Sequence, residues 1–166
     1  MLNEKIICFH NPEEENGYLS NWYLSQFRVD GVTFSSMEQY MMYRKAGLFG
    51  DRTIANEILE TDDVAKIKML GRSVCNYDDI IWDGMRQAIV YSGLLEKFKQ
   101  NEELKKRLLE TENAILVECA VKDRIWGIGL SMTDENRFVT NKWMGRNLLG
   151  FALMEVRNKL TIYINL

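Results

Sequence analysis

The stretch SSMEQYMMYRKAGLFG, residues 35–50, decides how the rest of the chain is interpreted. It predicts a helix that runs to about Phe49, because two serines able to cap a helix precede a long segment without proline. Within residues 36–48, Glu38 and Lys45 are seven positions apart. In a helix this spacing is about 20° short of two full turns. The carboxylate and the amine then share one helix face, and such a pair suits chemistry at the carbon–nitrogen bond of a sugar.

Each member of this pair also has a plain structural explanation. With Ser35 as the N-cap, Glu38 would occupy the third helical position and complete a capping box. The two roles are compatible, since a carboxylate at a helix N-terminus can also face a cleft. Lys45 could be a solvated surface lysine, but the helix is apolar on most sides. Burial would lower the pKa of this lysine, and a neutral amine is a nucleophile.

Outside this helix the sequence alternates short strands with several further helices. Strands are predicted at residues 5–9 and 114–121, and a hairpin at 27–34 that turns at Asp30-Gly31. Further helices are predicted at residues 51–60, 61–71, 77–98, 101–111 and 141–160. The tail, residues 161–166, is β-prone and is expected to add a strand or to form an oligomer contact. These patterns predict a single compact domain over residues 1–166, of class α+β and predominantly helical, with five to six helices.

Composition limits the classes of partner. The chain has 166 residues, 46% of them hydrophobic, which is typical of one soluble globular domain. A net charge of −3 argues against a broad nucleic-acid-binding surface. Three distant cysteines and one histidine argue against a zinc site or a disulfide framework, and no cofactor is expected. Free thiols and the lack of long apolar stretches predict a cytoplasmic protein with no signal peptide or membrane span.

A second polar group follows the buried strand predicted near residue 118. Glu118 lies in an apolar strand, so it should either pair with an arginine such as Arg86, Arg72 or Arg157, or have a raised pKa. Asp123 comes at the strand end, beside an aromatic ring and a flexible backbone at Trp126-Gly127. Glycine lets the backbone approach a ligand closely. This combination indicates a ligand site, whereas the plain alternative is a charged turn.

The last predicted helix has two distinct faces. One is a wide apolar stripe formed by Leu148, Leu149, Ala152, Leu153, Val156 and Leu160. The other carries Asn147, Gly150, Met154 and Arg157. A glycine inside a helix costs up to about 1 kcal/mol relative to alanine. We therefore expect this second face to approach another part of the protein or a ligand, the alternative being a solvated face.

Taken in chain order, the polar segments described above resemble those of the NADAR family of YbiA-like proteins. The matching segments are Leu19-Ser-Asn-Trp-Tyr23, Asp30-Gly31, Glu38 to Ala46, Leu48 to Asp51, Lys68-Met-Leu-Gly-Arg72, Trp82 with Arg86, Leu108 to Thr111, Val117-Glu118, Asp123 with Trp126 to Leu130, and Asn147 to Arg157. Each match is weak alone, but the ordered set is specific. Arg44 departs from the glutamine often found at its position, and His10 from a common aromatic residue.

The resemblance implies scission of the bond between ribose C1 and a nitrogen. Some YbiA-like members are N-glycosidases acting on riboflavin-pathway intermediates, whereas others remove ADP-ribose from guanine bases. Glu38 and Asp123 would share the acid, base and charge-stabilising roles, and Lys45 offers a Schiff-base route. Further candidates for substrate binding are Asn21, Trp22, Arg86, Glu118, Trp126, Gly127, Asn147 and Arg157.

The low basic charge favours a small nucleotide-like substrate over long nucleic acid, although an ADP-ribosylated guanine could still be recognised in a pocket. The rival class is a binding module that holds NAD or ADP-ribose without turnover. The oligomeric state is left open.

Overall fold

The computed structural model describes residues 5–164, which contain six α-helices and four short strands. The helices are α1 Met37–Leu48, α2 Arg52–Leu59, α3 Val64–Arg72, α4 Asp79–Gln100, α5 Glu102–Leu109 and α6 Leu148–Ile164. The strands are β1 Ile6–Phe9, β2 Leu24–Val29, β3 Val32–Ser36 and β4 Ile115–Glu118. This confirms the predicted α+β, predominantly helical class. Within the described residues, every helix is too short or too polar to span a lipid bilayer.

The chain forms two compact units. The central unit is Asn21–Asn101, and the terminal unit combines Met1–Ser20 with Glu102–Leu166. Each unit is described by itself below. The single domain over residues 1–166 stays a prediction.

The central unit is built on the hairpin and on α1. Strands β2 and β3 pair antiparallel, and the two residues between them, Asp30 and Gly31, both have positive φ, at 49° and 83°. Such a turn matches the twist of the strands, as the sequence predicts. The helices α2, α3 and α4 all contact α1. The Phe34 ring lies 5.8 Å from Phe27 and 5.2 Å from Tyr40, and this aromatic cluster joins the hairpin to α1.

The cap of α1 differs from the prediction by one residue. The N-cap is Ser36, whose hydroxyl accepts a hydrogen bond from the Gln39 N–H at 3.1 Å. Gln39 is therefore the third helical residue, and its side-chain oxygen accepts from the Ser35 N–H at 2.7 Å. The predicted capping box with Ser35 as N-cap and Glu38 as its third helical residue was wrong, because the Ser36 hydroxyl accepts the Gln39 N–H one residue further along. The Glu38 carboxylate is thus not needed for capping.

This cap gives a first test. We expect Ser36→Ala to lower the free energy of unfolding by about 1 kcal/mol, since it removes the cap acceptor. The matched variant Ser35→Ala should cost only a few tenths of a kcal/mol, because its backbone N–H still reaches Gln39. Urea denaturation of both variants measures the difference. A larger loss in Ser35→Ala would contradict the assigned cap.

In the terminal unit a parallel strand pair lies against α6. β1 pairs with β4 in the register Ile6↔Ile115 to Phe9↔Glu118. Gly150 of α6 lies against β4, where an added Cβ would be only 2.0 Å from the Leu116 carbonyl oxygen. The second face of this helix therefore approaches another part of the protein, as predicted. Its apolar stripe is buried as well.

Two predicted boundaries in this unit were wrong, and so was an added strand as the role of the tail; an oligomer contact of the tail stays a prediction. β4 ends at Glu118 and not at residue 121. α6 begins at Leu148, because the residues before it donate their N–H groups to the 124–128 loop, with Met144 bonding to Ile128 and Arg146 to Arg124. The predicted β-prone tail is helical through Ile164. There the Thr161 hydroxyl donates to the Arg157 carbonyl at 2.9 Å, which fits a helix, so the local context overrides β propensity. Residues 165–166 lie outside the described residues.

Candidate active site

The predicted acid–amine pair lies on α1 in the central unit. Glu38 is 3% exposed, and its backbone N–H donates to the Asn21 carbonyl at 2.8 Å. Lys45 is half-buried near the end of the same helix. The negative charge of Glu38 is close enough to raise the pKa of Lys45. The helix thus brings the two side chains into electrostatic contact, as their spacing predicts.

The Lys45 amine is held by three neighbours from elsewhere in the unit. Its Nζ donates to the Gly71 carbonyl at 2.7 Å and lies 4.4 Å from the Tyr77 ring centroid and 5.7 Å from the Trp82 ring centroid. Rings placed this way stabilise a cation but also exclude water. We call Glu38, Lys45, Gly71, Tyr77 and Trp82 the lysine site.

The burial of Lys45 favours its neutral amine. Burial is the largest influence and lowers its pKa, and the Arg72 guanidinium lowers it further. Asp79 and Glu38 act in the opposite direction, but the net result is a pKa below the ordinary value of 10.5. A larger fraction of Lys45 is therefore unprotonated near neutral pH than for a solvated lysine. An unprotonated amine is what nucleophilic attack requires.

Two local features position the groups of the lysine site: Gly71, and the Asp78 cap of α4. At Gly71 an added Cβ would lie 1.9 Å from the Met42 sulfur, so only glycine lets α3 come this close to α1. The close approach presents the Gly71 carbonyl to Lys45. The Asp78 carboxylate caps α4 by accepting from the Ile81 N–H, which starts the helix between the two aromatic residues of the site.

Three other predicted residues also lie in the central unit. Asn21 is 5% exposed, and its side-chain oxygen is buried without a hydrogen-bond partner among residues 5–164. Trp22 lies beside Lys68, whose Nζ is 5.6 Å from the indole centroid. Arg86 is mostly buried and pairs with Asp83 on α4. Their roles in substrate binding stay predictions.

In the terminal unit, Asp123 shapes a turn. Its Oδ1 accepts from the Ile125 N–H at 2.9 Å and from the Trp126 N–H at 2.8 Å. At Gly127 an added Cβ would lie 2.8 Å from the Glu118 carbonyl oxygen, so packing alone requires glycine there. These contacts favour the plain alternative of a charged turn. The catalytic role of Asp123 and the binding roles of Trp126 and Gly127 stay predictions.

The remaining substrate-binding candidates of this unit, Asn147 and Arg157, form side-chain hydrogen bonds with backbone groups of the same unit. Asn147 is fully buried; its Oδ1 accepts from the Glu118 N–H at 3.1 Å and its Nδ2 donates to the Leu116 carbonyl at 2.9 Å. Arg157 donates through Nη1 to Thr111 Oγ1 at 2.7 Å and to the Ala114 carbonyl at 2.9 Å. These bonds tie α6 to β4 and to the loop before it. They favour structural roles, and substrate binding by Glu118, Asn147 and Arg157 stays a prediction.

Sequence reasoning missed most of what surrounds Lys45. Tyr77 and Asp79 were interpreted only as the start of one helix, Gly71 as the end of the helix before it, and Arg72 as a possible partner of Glu118. One sequence signal could have drawn attention to the aromatic pair: Tyr77 and Trp82 lie on either side of the predicted helix start.

Comparison with known proteins gives one consistent family. The NADAR domain family model matches residues 8–161. The chain is 41% identical to N-glycosidase R617 of Acanthamoeba polyphaga mimivirus, over 96% of this chain and 98% of that protein. It is 32% identical to riboflavin biosynthesis protein VVA0006 of Vibrio vulnificus (strain YJ016), over 96% of this chain but only 40% of that longer protein.

A solved structure agrees with this result. The NMR structure of the Escherichia coli protein YbiA superposes with a TM-score of 0.80 at 29% identity, covering 98% of this chain and 89% of that one. The E. coli (strain K12) sequence is named N-glycosidase YbiA. On the extent of the family match and on these relatives, the chain belongs to the NADAR family.

Proposed function

We propose that this protein is an N-glycosidase that cleaves the bond between ribose C1 and a base nitrogen. The substrate is a phosphoribosylamino-pyrimidine of the riboflavin pathway or a related ADP-ribosyl compound. The observation that carries the proposal is the lysine site, where an amine of lowered pKa lies between two aromatic rings and shares a helix face with the buried Glu38. The relatives named N-glycosidases and the relative named for riboflavin biosynthesis support it.

The chemistry begins at ribose C1. As the bond to the base nitrogen breaks, its electron pair leaves with the nitrogen, which takes up a proton, and positive charge develops on the ribose ring. The Glu38 carboxylate stabilises this charge. The neutral Lys45 amine attacks C1; the bond between C1 and the ring oxygen then breaks, one amine proton passes to that oxygen and the other is released, which gives an imine between Nζ and C1. Water then adds to the imine and releases the sugar aldehyde and the free amine.

Aromatic rings, a second carboxylate and an amide have the remaining proposed roles in this reaction. Tyr77 and Trp82 lie close to the amine and offer flat surfaces to the sugar or base. Asp123 is the candidate for a second carboxylate, and Asp123→Asn tests that role by the loss of turnover. Asn21, with a buried oxygen that has no partner among residues 5–164, is suited to accept a hydrogen bond from a substrate hydroxyl.

Product identification tests this function. The pure protein is incubated separately with phosphoribosylamino-pyrimidine intermediates and with guanine-ADP-ribosylated DNA, and the products are identified by mass spectrometry. Free aminopyrimidine with ribose phosphate is the expected result. Free ADP-ribose with restored guanine would assign the chain instead to hydrolysis of ADP-ribosylated guanine. Saturable binding with unchanged ligand after long incubation would contradict an enzyme and indicate a binding module.

A further inference from the structure

Two cations on α3 have no acidic partner among residues 5–164. Lys68 and Arg72 are four residues apart, so they project from the same side of the helix. Neither forms an ion pair with a carboxylate of residues 5–164, and Lys68 contacts the Trp22 ring instead. Three other helical lysines, Lys99, Lys105 and Lys106, each pair with a glutamate about one turn away, whereas Lys66 and Lys159 form no ion pair within residues 5–164. Without an ion pair of their own, Lys68 and Arg72 have charge available to a ligand.

These two cations adjoin the lysine site. Gly71 lies next to Arg72 in the chain and three residues after Lys68, and its carbonyl accepts the hydrogen bond of Lys45. The guanidinium of Arg72 is close enough to lower the pKa of Lys45. The α3 helix therefore presents positive charge beside the amine that would attack ribose C1.

Lys68 and Arg72 are placed to act together on one anion. They lie one helical turn apart, and no carboxylate of residues 5–164 forms an ion pair with either of them. Their positive charge can therefore attract an anion to this side of the helix. Phosphate is the anion that suits this pair, because the arginine fork binds two oxygens and the lysine supplies a point charge.

We propose that Lys68 and Arg72 bind a phosphate group carried by the ribose of the substrate and select phosphorylated over unphosphorylated N-ribosyl compounds. This inference rests on the proposed function. A ribose is small, so a phosphate on its C5 must be bound close to the amine that attacks C1. The other arginines considered for phosphate have different contacts, since Arg86 pairs with Asp83 and Arg157 donates to Thr111.

Equilibrium binding tests this selection without requiring turnover. Isothermal titration of the full chain with ribose, ribose 5-phosphate and ADP-ribose measures the preference for phosphate. The variants are Lys68→Gln, Arg72→Gln and the charge-preserving Arg72→Lys, and the matched control is Lys66→Gln, an exposed lysine of the same helix. Product formation by the wild type is measured separately.

We expect the wild type to bind ribose 5-phosphate at least about tenfold more tightly than ribose, since charge-assisted hydrogen bonds are strong. Lys68→Gln and Arg72→Gln should each remove most of this preference, Arg72→Lys should retain part of it, and Lys66→Gln should retain all of it. Tighter binding of ADP-ribose that also depends on Lys68 and Arg72 would support the same site with a pyrophosphate as its ligand.

Three results would overturn the inference. They are a wild type that binds ribose and ribose 5-phosphate equally, variants that keep the full preference, and variants that weaken both ligands by the same factor. A preference that depends on Lys68 and Arg72 in a protein that releases no base would leave this inference standing and remove the proposed function instead.

Discussion

Borohydride added during turnover should attach one sugar residue to Lys45, and Lys45→Ala should lose both this adduct and nearly all turnover. The reason is that, in the proposed mechanism, Lys45 supplies the nucleophile through an amine whose pKa is lowered by burial and by Arg72. We expect kcat to fall by at least about a thousandfold, because the groups of such a site act as a unit. Peptide mass spectrometry locates the adduct, and steady-state kinetics measures the loss.

The control variants distinguish the nucleophilic role of the Lys45 amine from the effect of a positive charge at that position. Lys45→Arg keeps a positive charge but supplies no neutral amine at neutral pH, so it should be as inactive as Lys45→Ala. Glu38→Gln should lower kcat by about 10²–10⁴-fold, since it removes the carboxylate that stabilises the developing charge. The double variant should be scarcely slower than Lys45→Ala, because effects within one catalytic unit are not additive.

The pH dependence adds a second observation on the same residue. Because burial and Arg72 lower the pKa of Lys45, the acidic limb of kcat/KM should lie below pH 10.5. Turnover that survives in Lys45→Ala without any reduced adduct would rule out the imine route. Direct attack by water, with Glu38 as the stabilising carboxylate, would then be the remaining mechanism.

The elements that sequence predicts well are those fixed by local chemistry. Asp30-Gly31 specifies a tight hairpin turn, and the helices predicted to start near residues 51, 61 and 77 do start there. At these starts Asp51, Asp63 and Asp78 are the N-caps, because each carboxylate accepts from an N–H two or three residues later. The face shared by Glu38 and Lys45 follows from helix geometry alone. The errors arise where distant contacts decide, as at the start of α6, where the preceding residues bond to another loop.

The site itself was only half predictable, for the same physical reason. Periodicity places Lys45 on a face, but it says nothing of which carbonyl or ring from another helix will meet the amine. Gly71 supplies that carbonyl only because it packs against Met42, a contact between α3 and α1 that no local pattern encodes. In the terminal unit, by contrast, Gly127 was interpreted as a ligand-binding glycine although the Glu118 carbonyl already explains it.

A second lysine should dominate the pH dependence of stability. Lys97 of α4 is fully buried, with its Nζ 5.5 Å from the Tyr23 ring centroid and 5.2 Å from that of Phe98. Burial lowers its pKa from 10.5 to about 7. In the unfolded chain this lysine regains its ordinary pKa. Between these two values the unfolded state therefore binds more protons than the folded state, and the free energy of unfolding rises with pH.

The expected effect is large and has a defined sign. The contribution of Lys97 is fully present above pH 10.5 and is lost as the pH falls toward 7. It changes by at most about 1.4 kcal/mol per pH unit, which gives about 2 kcal/mol between pH 7.5 and 9.0. Lys97→Met keeps a flexible apolar side chain without the titrating amine, so this rise should be absent from the variant. Lys99→Met, at an exposed position of the same helix, should retain it.

Urea denaturation of the three proteins at pH 7.5 and 9.0 measures this contribution. Differences between wild type and each variant remove the effects of tyrosines and cysteines that titrate in the same range, since those groups are common to all three. Lys97→Met should also be more stable than wild type at pH 7.5, because the cost of burying an amine that is protonated when unfolded is gone. Equal pH slopes for wild type and Lys97→Met would show that Lys97 remains protonated in the folded protein across this range.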